Sequence, residues 1–370
     1  MTTIYLVRHA QAEGNLYRRF HGHYNTELTA TGRQQLPYVS RLFADIPLTA
    51  VYSSDLTRAR RTAEAIAAPK GLFVQTDPRF REREAGNWDN VPFGELEQFQ
   101  SEAYAQMKRD PRLWTPPAGE SWQACTDRFL DGLAELTARH PSETIAVTSH
   151  SLALKDLMLR LFPEAQLAYC DNTAVSCIEY EDGQYRLRFA NDSSHVPEHL
   201  STYASQRVMR EHPELHYNLW YRSALEEPEL YIQYRREAWE LIYGNLDGFD
   251  GPGFWSTALK NSENDPNALV FAMSGDRIAG ILELSVNGYV AVNAGYIPFI
   301  YLREPWRHKG LGVQLLGHAV QYFQTLGRTK LQLRVAQSNT PAIGFYEKYG
   351  FRRISASGFR HRLLLMEKEI

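Results

Sequence analysis

The run Thr3-Ile4-Tyr5-Leu6-Val7-Arg8-His9 opens the chain and decides how its first half is interpreted. Its apolar, β-prone residues predict a strand over 3–7 that is buried on both faces of a sheet. Segments 50–54 and 144–149 have the same form, and a helical pattern follows each of them. Strands that alternate with helices predict an α/β sheet.

Two of the predicted helices carry recognisable end signals. The first is expected to begin at an Asp55 cap and to end by Pro69, with apolar residues spaced to face the sheet. The second covers 122–138, with Ser121 as its cap and a histidine-proline pair after it. Both helices directly follow or precede predicted strands, as an α/β architecture requires.

With 370 residues, the chain exceeds what one hydrophobic core usually supports. Apolar residues make up 44% and charged residues 22%, which is typical of soluble globular domains. Turn formers collect after residue 191 and indicate that the first domain has closed. We therefore expect a domain over 1–200, a linker over 201–213 and a second domain over 214–370.

Charge and cysteine content exclude several classes of protein. A net charge of −3 provides no basic field, so no nucleic-acid partner is expected. Cys125, Cys170 and Cys177 are odd in number and lack metal-ligand spacing, which favours reduced, buried thiols. The first apolar run is too short for a signal peptide or a membrane span, so we expect a cytoplasmic protein without membrane contact. The sequence leaves the oligomeric state open.

Charged side chains follow three of the predicted strands. Arg8-His9 ends the first, Arg58 lies in the helical turn after the second, and His150 follows the third. Open α/β sheets bind ligands at the carboxyl ends of their strands, and a helix N-terminus favours an anion. Each residue alone fits a structural histidine or a solvated helix face equally well, but together they predict a phosphoryl pocket.

The motifs around these residues occur in an order that resembles the histidine phosphatase (phosphoglycerate mutase-like) superfamily. They are LVRHAQAEGN at 6–15, SSDLTRA at 53–59, EREAGNW at 82–88 and TSH at 148–150. The resemblance covers about the first 195 residues and implies a three-layer α/β sandwich. It also implies that His9 is the nucleophile and that three residues surround the phosphoryl oxygens, namely Arg8, Arg58 and His150.

The chemistry of this family explains the residue types. A neutral imidazole attacks phosphorus and forms a labile phosphoramidate, which water then hydrolyses. Arginines and a protonated histidine stabilise charge on the equatorial oxygens, so no metal is required. The resemblance implies that Glu82 is the acid for the leaving group, because it lies four residues before Gly86. Glu84 competes for this role or is a surface charge.

Further positions follow from the same resemblance. It implies that Asn15 contacts the phosphate or the substrate and that Gly22 occupies a substrate-loop position. Ala10 and Ser151-Leu152 depart from the glycines common in the family, which predicts a reshaped pocket in which Ser151 still offers an N–H and a hydroxyl. The chain between Glu82 and His150 is shorter than in glycolytic mutases, which favours a phosphatase over a mutase.

The second half has a different pattern. A helix is predicted over 228–243, a loop without distinctive chemistry over 245–267, and strands over 219–222, 269–273, 278–286 and 296–302. A glycine-rich turn, a helix, an alternating strand and the run NTPAIGFYEKYGF at 339–351 follow. The order resembles the GNAT acyl-CoA N-acetyltransferase family, most specifically over 296–351, and the earlier order of strand and helix extends the resemblance back to about Leu215. It implies a mixed-sheet α/β domain.

This second resemblance implies a site for acetyl-CoA. Glycine-rich turns let backbone N–H groups surround a pyrophosphate at a helix start. The residues implied for this task are Arg307, His308, Lys309, Gly310, Leu311 and Gly312. Leu302 ends the strand that pairs with pantetheine, Asn339 contacts the CoA arm and Tyr346 is the general acid, while Glu283 is a candidate base. A packing role for Tyr346 and an outward-facing Glu283 remain open.

These patterns lead to one hypothesis for the chain. It is a bifunctional enzyme that hydrolyses a small phosphomonoester through a phosphohistidine and N-acetylates an amine with acetyl-CoA. Two alternatives remain: mutase-like phosphoryl transfer, and a phosphate-sensing first domain attached to an active acetyltransferase.

Overall fold

The chain divides into two units, Met1–His212 and Pro213–Ile370, in the computed structural model, which describes residues 1–357 and 363–370. The strands of the first unit are β1 (Thr2–Arg8), β2 (Ala50–Ser53), β3 (Val74–Thr76), β4 (Thr144–Ser149), β5 (Val175–Glu181) and β6 (Gln184–Asp192). Its helices are α1 (Glu13–Tyr17), α2 (Ala30–Leu42), α3 (Thr57–Ala67), α4 (Phe93–Phe99), α5 (Ser101–Arg109), α6 (Trp122–Arg139), α7 (Ser151–Leu161), α8 (Thr202–Ser205) and α9 (Arg207–Glu211).

The first unit is a mixed sheet with strand order β3-β2-β4-β1-β5-β6. β1 pairs in parallel with β4, and β2 does so on the other side of β4, so their carboxyl ends meet at one edge. Ile4 and Leu6 pack against α6 and α7, whereas Val7 packs against α2 and α3. Side chains that alternate between two helix layers confirm the predicted three-layer sandwich.

The two predicted helix starts had different outcomes. Ser121 Oγ accepts the N–H of Ala124 at 3.1 Å, as expected of the cap of α6. The Asp55 cap was wrong, because its carboxylate pairs with Arg81 at 2.5 Å instead. α3 begins two residues later and has no side-chain cap. An ion pair with a residue distant in sequence thus replaced the local capping bond.

Residues 201–212 fold as α8 and α9 on the first unit. Ser201 Oγ donates to Asp171 Oδ2 at 2.5 Å, and Gln11 Nε2 donates to Thr202 Oγ1 at 3.0 Å. Asp171 lies in the loop before β5, and Gln11 lies in the loop after β1. The segment therefore lies beside the edge where the predicted phosphoryl residues are found.

The second unit is a mixed α/β fold, in agreement with the prediction. Its strands are β7 (Trp220–Ser223), β8 (Leu269–Ser274), β9 (Arg277–Ser285), β10 (Ala294–Leu302), β11 (Lys330–Ala336), β12 (Arg352–Ser357) and β13 (Leu363–Glu369), in the order β12-β13-β11-β10-β9-β8-β7. Its helices are α10 (Pro228–Tyr243), α11 (Gly251–Ser262), α12 (Gly312–Thr325) and α13 (Thr340–Lys348).

The expected loop over 245–267 contains α11, so that part of the prediction was wrong. Asp250 Oδ1 accepts the N–H of Gly253 at 3.0 Å, and Pro252 lies in the first turn. These are helix-start signals, although the same residue types also form turns. α10 and α11 together pack on the face of β8, β9 and β10.

β10 and β11 separate along their length. They pair in parallel only from Ala294 opposite Lys330 to Ile297 opposite Leu333, although both strands continue. The pairing of β10 with β9 shifts register between Tyr296 and Phe299, which marks a bulge. The two strands do not pair with each other beyond Ile297 and Leu333, and we define the space between their carboxyl ends as the cleft of this unit. None of the described helices has the length and apolar character needed to span a membrane.

Candidate active sites

His9 follows β1 and is 5% exposed. Its Nδ1 lies 2.7 Å from the carbonyl oxygen of Ala10. A carbonyl only accepts, so we assign the hydrogen to Nδ1, and Nε2 keeps its lone pair. Burial lowers the pKa of His9 well below its ordinary value, and the cations Arg58 and Arg8 add to this effect. The ring is therefore a neutral imidazole with a free nucleophilic nitrogen.

Two buried polar residues that the sequence analysis missed hold the backbone around His9. Asn172 Nδ2 donates to the His9 carbonyl at 2.9 Å. Thr62 Oγ1 accepts the N–H of Ala10 at 2.9 Å and donates to the Arg58 carbonyl at 2.8 Å. Thr62 thus joins the loop after β1 to the first turns of α3, and no local motif marks either residue.

Arg58 lies in the first turn of α3 and is 1% exposed. Its guanidinium donates to the carbonyl oxygens of Tyr24 at 2.8 Å and Gly22 at 2.7 Å. Burial lowers the pKa of Arg58 to about 10, although nearby Glu82 acts in the opposite direction. The charge is thus oriented by backbone carbonyls.

Gly22 does not line the cavity described below, unlike most of the predicted residues. A Cβ at this position would lie 2.6 Å from the backbone nitrogen of Ala85, so glycine is required for close packing. In the structure it contributes the carbonyl oxygen that accepts a hydrogen bond from Arg58. Its predicted contact with substrate remains a prediction.

Arg8 and His150 flank His9. The Arg8 guanidinium donates from Nη1 to the Cys170 carbonyl, and its Nε has no partner among the described residues. His150 is fully buried, its ring centroid lies 5.1 Å from that of His9, and neither ring nitrogen has a partner among the described residues. Burial, Arg58 and His9 lower the pKa of His150 well below its ordinary value. A protonated His150 therefore requires the negative charge of a bound group.

Glu82 lies at the N-terminus of α7. Its carboxylate accepts the backbone N–H groups of Arg83 at 3.0 Å, Leu152 at 3.0 Å and Ala153 at 2.6 Å. These three donors fix the carboxyl group in the cavity wall, beside Ser151, the first residue of α7. Glu84, the competing carboxylate, is exposed.

These residues share a cavity of about 620 Å³, which is large enough for a drug-sized ligand. His9, Asn15 and Ser151 line it, whereas His150 is not among the lining residues. The cations in its wall are Arg8, Arg18, Arg19, Arg58, Lys108 and Lys155. The wall also includes the aromatic residues Phe20, Phe93, Tyr104 and Tyr169, and Gln206 and Met209 of the 201–212 segment. Glu82 is the only carboxylate among the described lining residues. The cavity therefore favours an anion.

His21 also lines this cavity. Its Nε2 lies 3.2 Å from Asn90 Oδ1, and its ring packs so closely on Gly14 that a Cβ there would approach to 2.5 Å. Burial lowers the pKa of His21 to about 3, with Arg58 and Arg19 adding to the effect. His21 is thus a third neutral imidazole in the site.

The glycine-rich turn of the second unit connects β10 to α12. His308 and Gly310 have φ of +60° and +76°, and a Cβ on Gly310 would lie 2.7 Å from the Tyr217 hydroxyl. Arg307 Nε donates to the Leu302 carbonyl at 2.7 Å, and Lys309 Nζ to the Pro305 carbonyl at 2.6 Å. These bonds close the turn on itself.

The start of α12 fits a pyrophosphate group. Leu311 is its N-cap position and Gly312 its first residue. The first N–H groups of a helix have no intrahelical acceptor and carry a favourable dipole for an anion. Gly312 fits this position because it has no side chain: a Cβ there would lie 3.1 Å from the ring of Phe345 and 3.5 Å from Leu302 Cδ1.

Asn339 and Tyr346 belong to α13, which begins where β11 ends. Asn339 is the N-cap, and its Oδ1 accepts the N–H of Ala342 at 3.3 Å. Tyr346 is buried between the rings of Phe345 and Phe351, and this burial raises the pKa of its phenol. A buried phenol keeps its proton, which is the form that a general acid needs.

Glu283 lies on β9 and is 1% exposed, so it does not face outward. Its Oε2 accepts the Tyr231 hydroxyl at 2.7 Å, and its Oε1 accepts Asn261 Nδ2 at 2.7 Å. α10 and α11 supply these two partners.

Across residues 1–357 and 363–370, no group of three His, Cys, Asp or Glu side chains is arranged as metal ligands.

Comparisons with known proteins agree with the two folds. The model of the histidine phosphatase superfamily (branch 1) matches residues 4–193, and that of the acetyltransferase (GNAT) family matches residues 213–351. Phosphoglycerate mutase-like protein 4 of Arabidopsis thaliana is 34% identical over 200 residues, covering 53% of this chain and 87% of that protein. The uncharacterized phosphatase PhoE of Bacillus subtilis (strain 168) is 29% identical over 199 residues, covering 53% and 97%.

A solved structure shares the fold of the first unit. Bacillus stearothermophilus YhfR aligns with a TM-score of 0.51 and 29% identity, over 53% of this chain and all of that one. The chain therefore belongs to the histidine phosphatase superfamily and carries a GNAT-family acetyltransferase domain after the phosphatase domain.

Proposed function

We propose that the first unit hydrolyses phosphomonoesters through a phosphohistidine on His9 and that the second transfers the acetyl group of acetyl-CoA to an amine. The observation that carries the first part is the hydrogen bond from His9 Nδ1 to the Ala10 carbonyl. It leaves Nε2 unprotonated in a cavity whose charged lining is almost entirely cationic. A nucleophile, an anion site and room for a leaving group are thus combined.

The first half of the reaction forms the phosphoenzyme. His9 Nε2 attacks phosphorus, an N–P bond forms, and the bond from phosphorus to the ester oxygen breaks. Arg8 and Arg58 stabilise the negative charge on the equatorial oxygens. His150 gains a proton only when the phosphoryl group is bound, because its buried, unpartnered ring otherwise remains neutral. Asn15 and Ser151 line the same cavity and complete the phosphate contacts.

Proton transfer to the leaving oxygen is assigned to Glu82. The three backbone N–H groups hold its carboxyl group in the cavity wall, where it donates a proton to the leaving oxygen as the ester bond breaks. Glu82 then accepts a proton from the water that attacks the phosphohistidine, and the N–P bond breaks as inorganic phosphate leaves. Product analysis distinguishes this outcome from mutase-like transfer, in which no free phosphate is produced.

The second unit would use its own cleft for acetyl transfer. Acetyl-CoA would lie between β10 and β11, with its pyrophosphate at the turn 307–312 and the start of α12. Tyr346 would protonate the departing thiolate, and Glu283 would take the proton of the amine through water, because both of its oxygens are already occupied. A cytoplasmic setting, where acetyl-CoA is available, is part of this proposal.

The test of the first activity is phosphate release from a panel of phosphomonoesters with EDTA present, comparing the intact protein with His9→Ala. The exposed His199→Ala on the same unit is the control. Release that is lost only in His9→Ala, with an acid-labile phosphoenzyme trapped by rapid quench in the intact protein, supports the phosphohistidine route. Equal release from both proteins, or none from either, contradicts it and leaves the sensor or the mutase alternative.

Acetyl transfer is tested by the release of CoA thiol from acetyl-CoA in the presence of amines. Tyr346→Phe should lower kcat by about 10²-fold or more while acetyl-CoA still binds, since only the proton donor is lost. An unchanged kcat contradicts the general-acid role.

A further inference from the structure

A cation in the second unit lies beside the proposed acetyl-transfer site and has no ion pair among the described residues. Arg235 is on α10, one turn after Tyr231, so both side chains are on the same helix face. Its guanidinium carbon lies 4.2 Å from the ring centroid of Phe299 on β10 and 4.5 Å from that of Phe254 on α11. Rings from two other elements therefore hold the guanidinium in place.

The Arg235 side chain forms no ion pair or hydrogen bond within the part of the chain that the structure describes. Three other ring-stacked arginines of this unit have acceptors, and Arg277, which stacks on Trp306, is exposed to solvent. Arg222 pairs with Glu227, and Arg303 and Arg307 donate to backbone carbonyls at 3.3 and 2.7 Å. The guanidinium of Arg235 thus keeps its N–H donors for a partner outside the chain.

The position of Phe299 places this cation next to the reaction chemistry. Phe299 is opposite Glu283 in the pairing of β10 with β9, and it immediately follows the bulge of β10. Tyr231 contacts both residues, through a 2.7 Å hydrogen bond to Glu283 and a ring contact with Phe299 at 6.2 Å. Burial raises the pKa of Tyr296 to about 12, and Arg235 is one of the cations that act in the opposite direction. The positive charge of Arg235 therefore acts on Tyr296, the residue at which the bulge begins.

We propose that Arg235 binds the anionic group of the acetyl acceptor, so that the acceptor is an amine carrying a carboxylate or a phosphate a few bonds from its nitrogen. This inference rests on the proposed acetyltransferase function. Arginine donates two parallel hydrogen bonds to either anion, and the two flanking rings keep the plane of the guanidinium group fixed. The amine then lies on the side of Glu283, which accepts its proton through water.

The experiment uses the full chain, acetyl-CoA and amines paired by charge. These are the amino acids against their amides, and O-phosphoethanolamine against ethanolamine, with spermidine as a polycation. The two pairs distinguish a carboxylate from a phosphate as the anion. Variants are Arg235→Gln, Arg235→Lys and the matched control Arg236→Gln, an exposed neighbour on the same helix.

Arg235→Gln should raise KM for the preferred anionic amine at least about tenfold, equivalent to about 1.4 kcal/mol, with kcat changed less than about threefold. Its KM for the neutral partner should stay the same, Arg235→Lys should recover part of the loss, and Arg236→Gln should match the intact protein. Calorimetry with CoA present should show the same weakening of amine binding without turnover.

Preferential transfer to neutral amines or spermidine overturns the inference, as does an equal effect of Arg235→Gln on both members of a pair. Absence of transfer to every amine also overturns it. The binding of acetyl-CoA then shows whether the acetyltransferase proposal fails as well. If acetyl-CoA binds and neutral amines are acetylated, only the role of Arg235 fails. If acetyl-CoA does not bind, the acetyltransferase proposal fails with it.

Discussion

Replacement of His21 by glutamine should make the first unit less sensitive to acid. His21 is buried, and its pKa is lowered to about 3, mainly because burial disfavours the charged ring. An unfolded histidine has a pKa of about 6.5. The unfolded chain therefore binds an extra proton below about pH 6.5, and this residue's contribution to stability is present above that pH and lost as the pH falls toward 3.

The magnitude follows from these two values. At pH 5.0 the native ring is still neutral and the unfolded ring is almost fully protonated, which costs about 2 kcal/mol, whereas at pH 7.5 the difference is close to zero. The intact protein should therefore lose about 2 kcal/mol more than His21→Gln between pH 7.5 and 5.0. Any intrinsic cost of losing the contact with Asn90 is present at both pH values and cancels.

Hydrogen exchange of the amides in β1 and β4 reports the opening free energy of this unit alone, so unfolding of the second unit does not interfere. The exposed His199→Gln is the matched control and should keep the pH dependence of the intact protein. An identical loss of stability in the intact protein and in His21→Gln would refute the reasoning, because the native ring would then be solvated or already protonated. His9 and His150 act in the same direction, but their replacement also alters the site.

Three further substitutions test other parts of the molecule. Thr62→Val leaves the N–H of Ala10 without its acceptor and should destabilise the first unit by about 1–3 kcal/mol and lower kcat for phosphate release, whereas Thr62→Ser should restore both. Arg83→Met removes the partner of buried Asp156 and should cost about 3–5 kcal/mol in denaturant unfolding, and adding Asp156→Leu should recover much of it. Gly310→Ala strains a φ of +76° and should weaken acetyl-CoA binding about tenfold by calorimetry without changing phosphate release.

Local patterns were sufficient for much of the fold. The apolar run before His9 became β1, and α10 has the predicted bounds, 228–243, because periodicity and end signals agree there. The order of Arg8, His9, Arg58 and His150 along the chain was also enough to place them near one another, since the carboxyl ends of parallel strands share an edge.

What the sequence could not supply depends on contacts between distant segments. Thr62 and Asn172 reach the loop after β1 from 52 and 163 residues away, and neither belongs to a recognisable motif. Asp55 has the form of a helix cap, but Arg81 takes its carboxylate. α11 begins with residues that favour turns equally well, and only the packing of its apolar face on the sheet selects a helix.

The partners of the buried arginines separate binding sites from structural pairs. Arg83 forms a buried pair with Asp156, which occupies its guanidinium within the fold. Arg58 is equally buried, yet its hydrogen bonds go to the carbonyl oxygens of Tyr24 and Gly22, which orient a guanidinium without cancelling its charge. Burying a charge in this way is unfavourable, as the lowered pKa of Arg58 indicates, and a phosphoryl dianion relieves that cost when it binds. Arg235 follows the same rule with rings in place of carbonyls, which is why an anion is its expected partner.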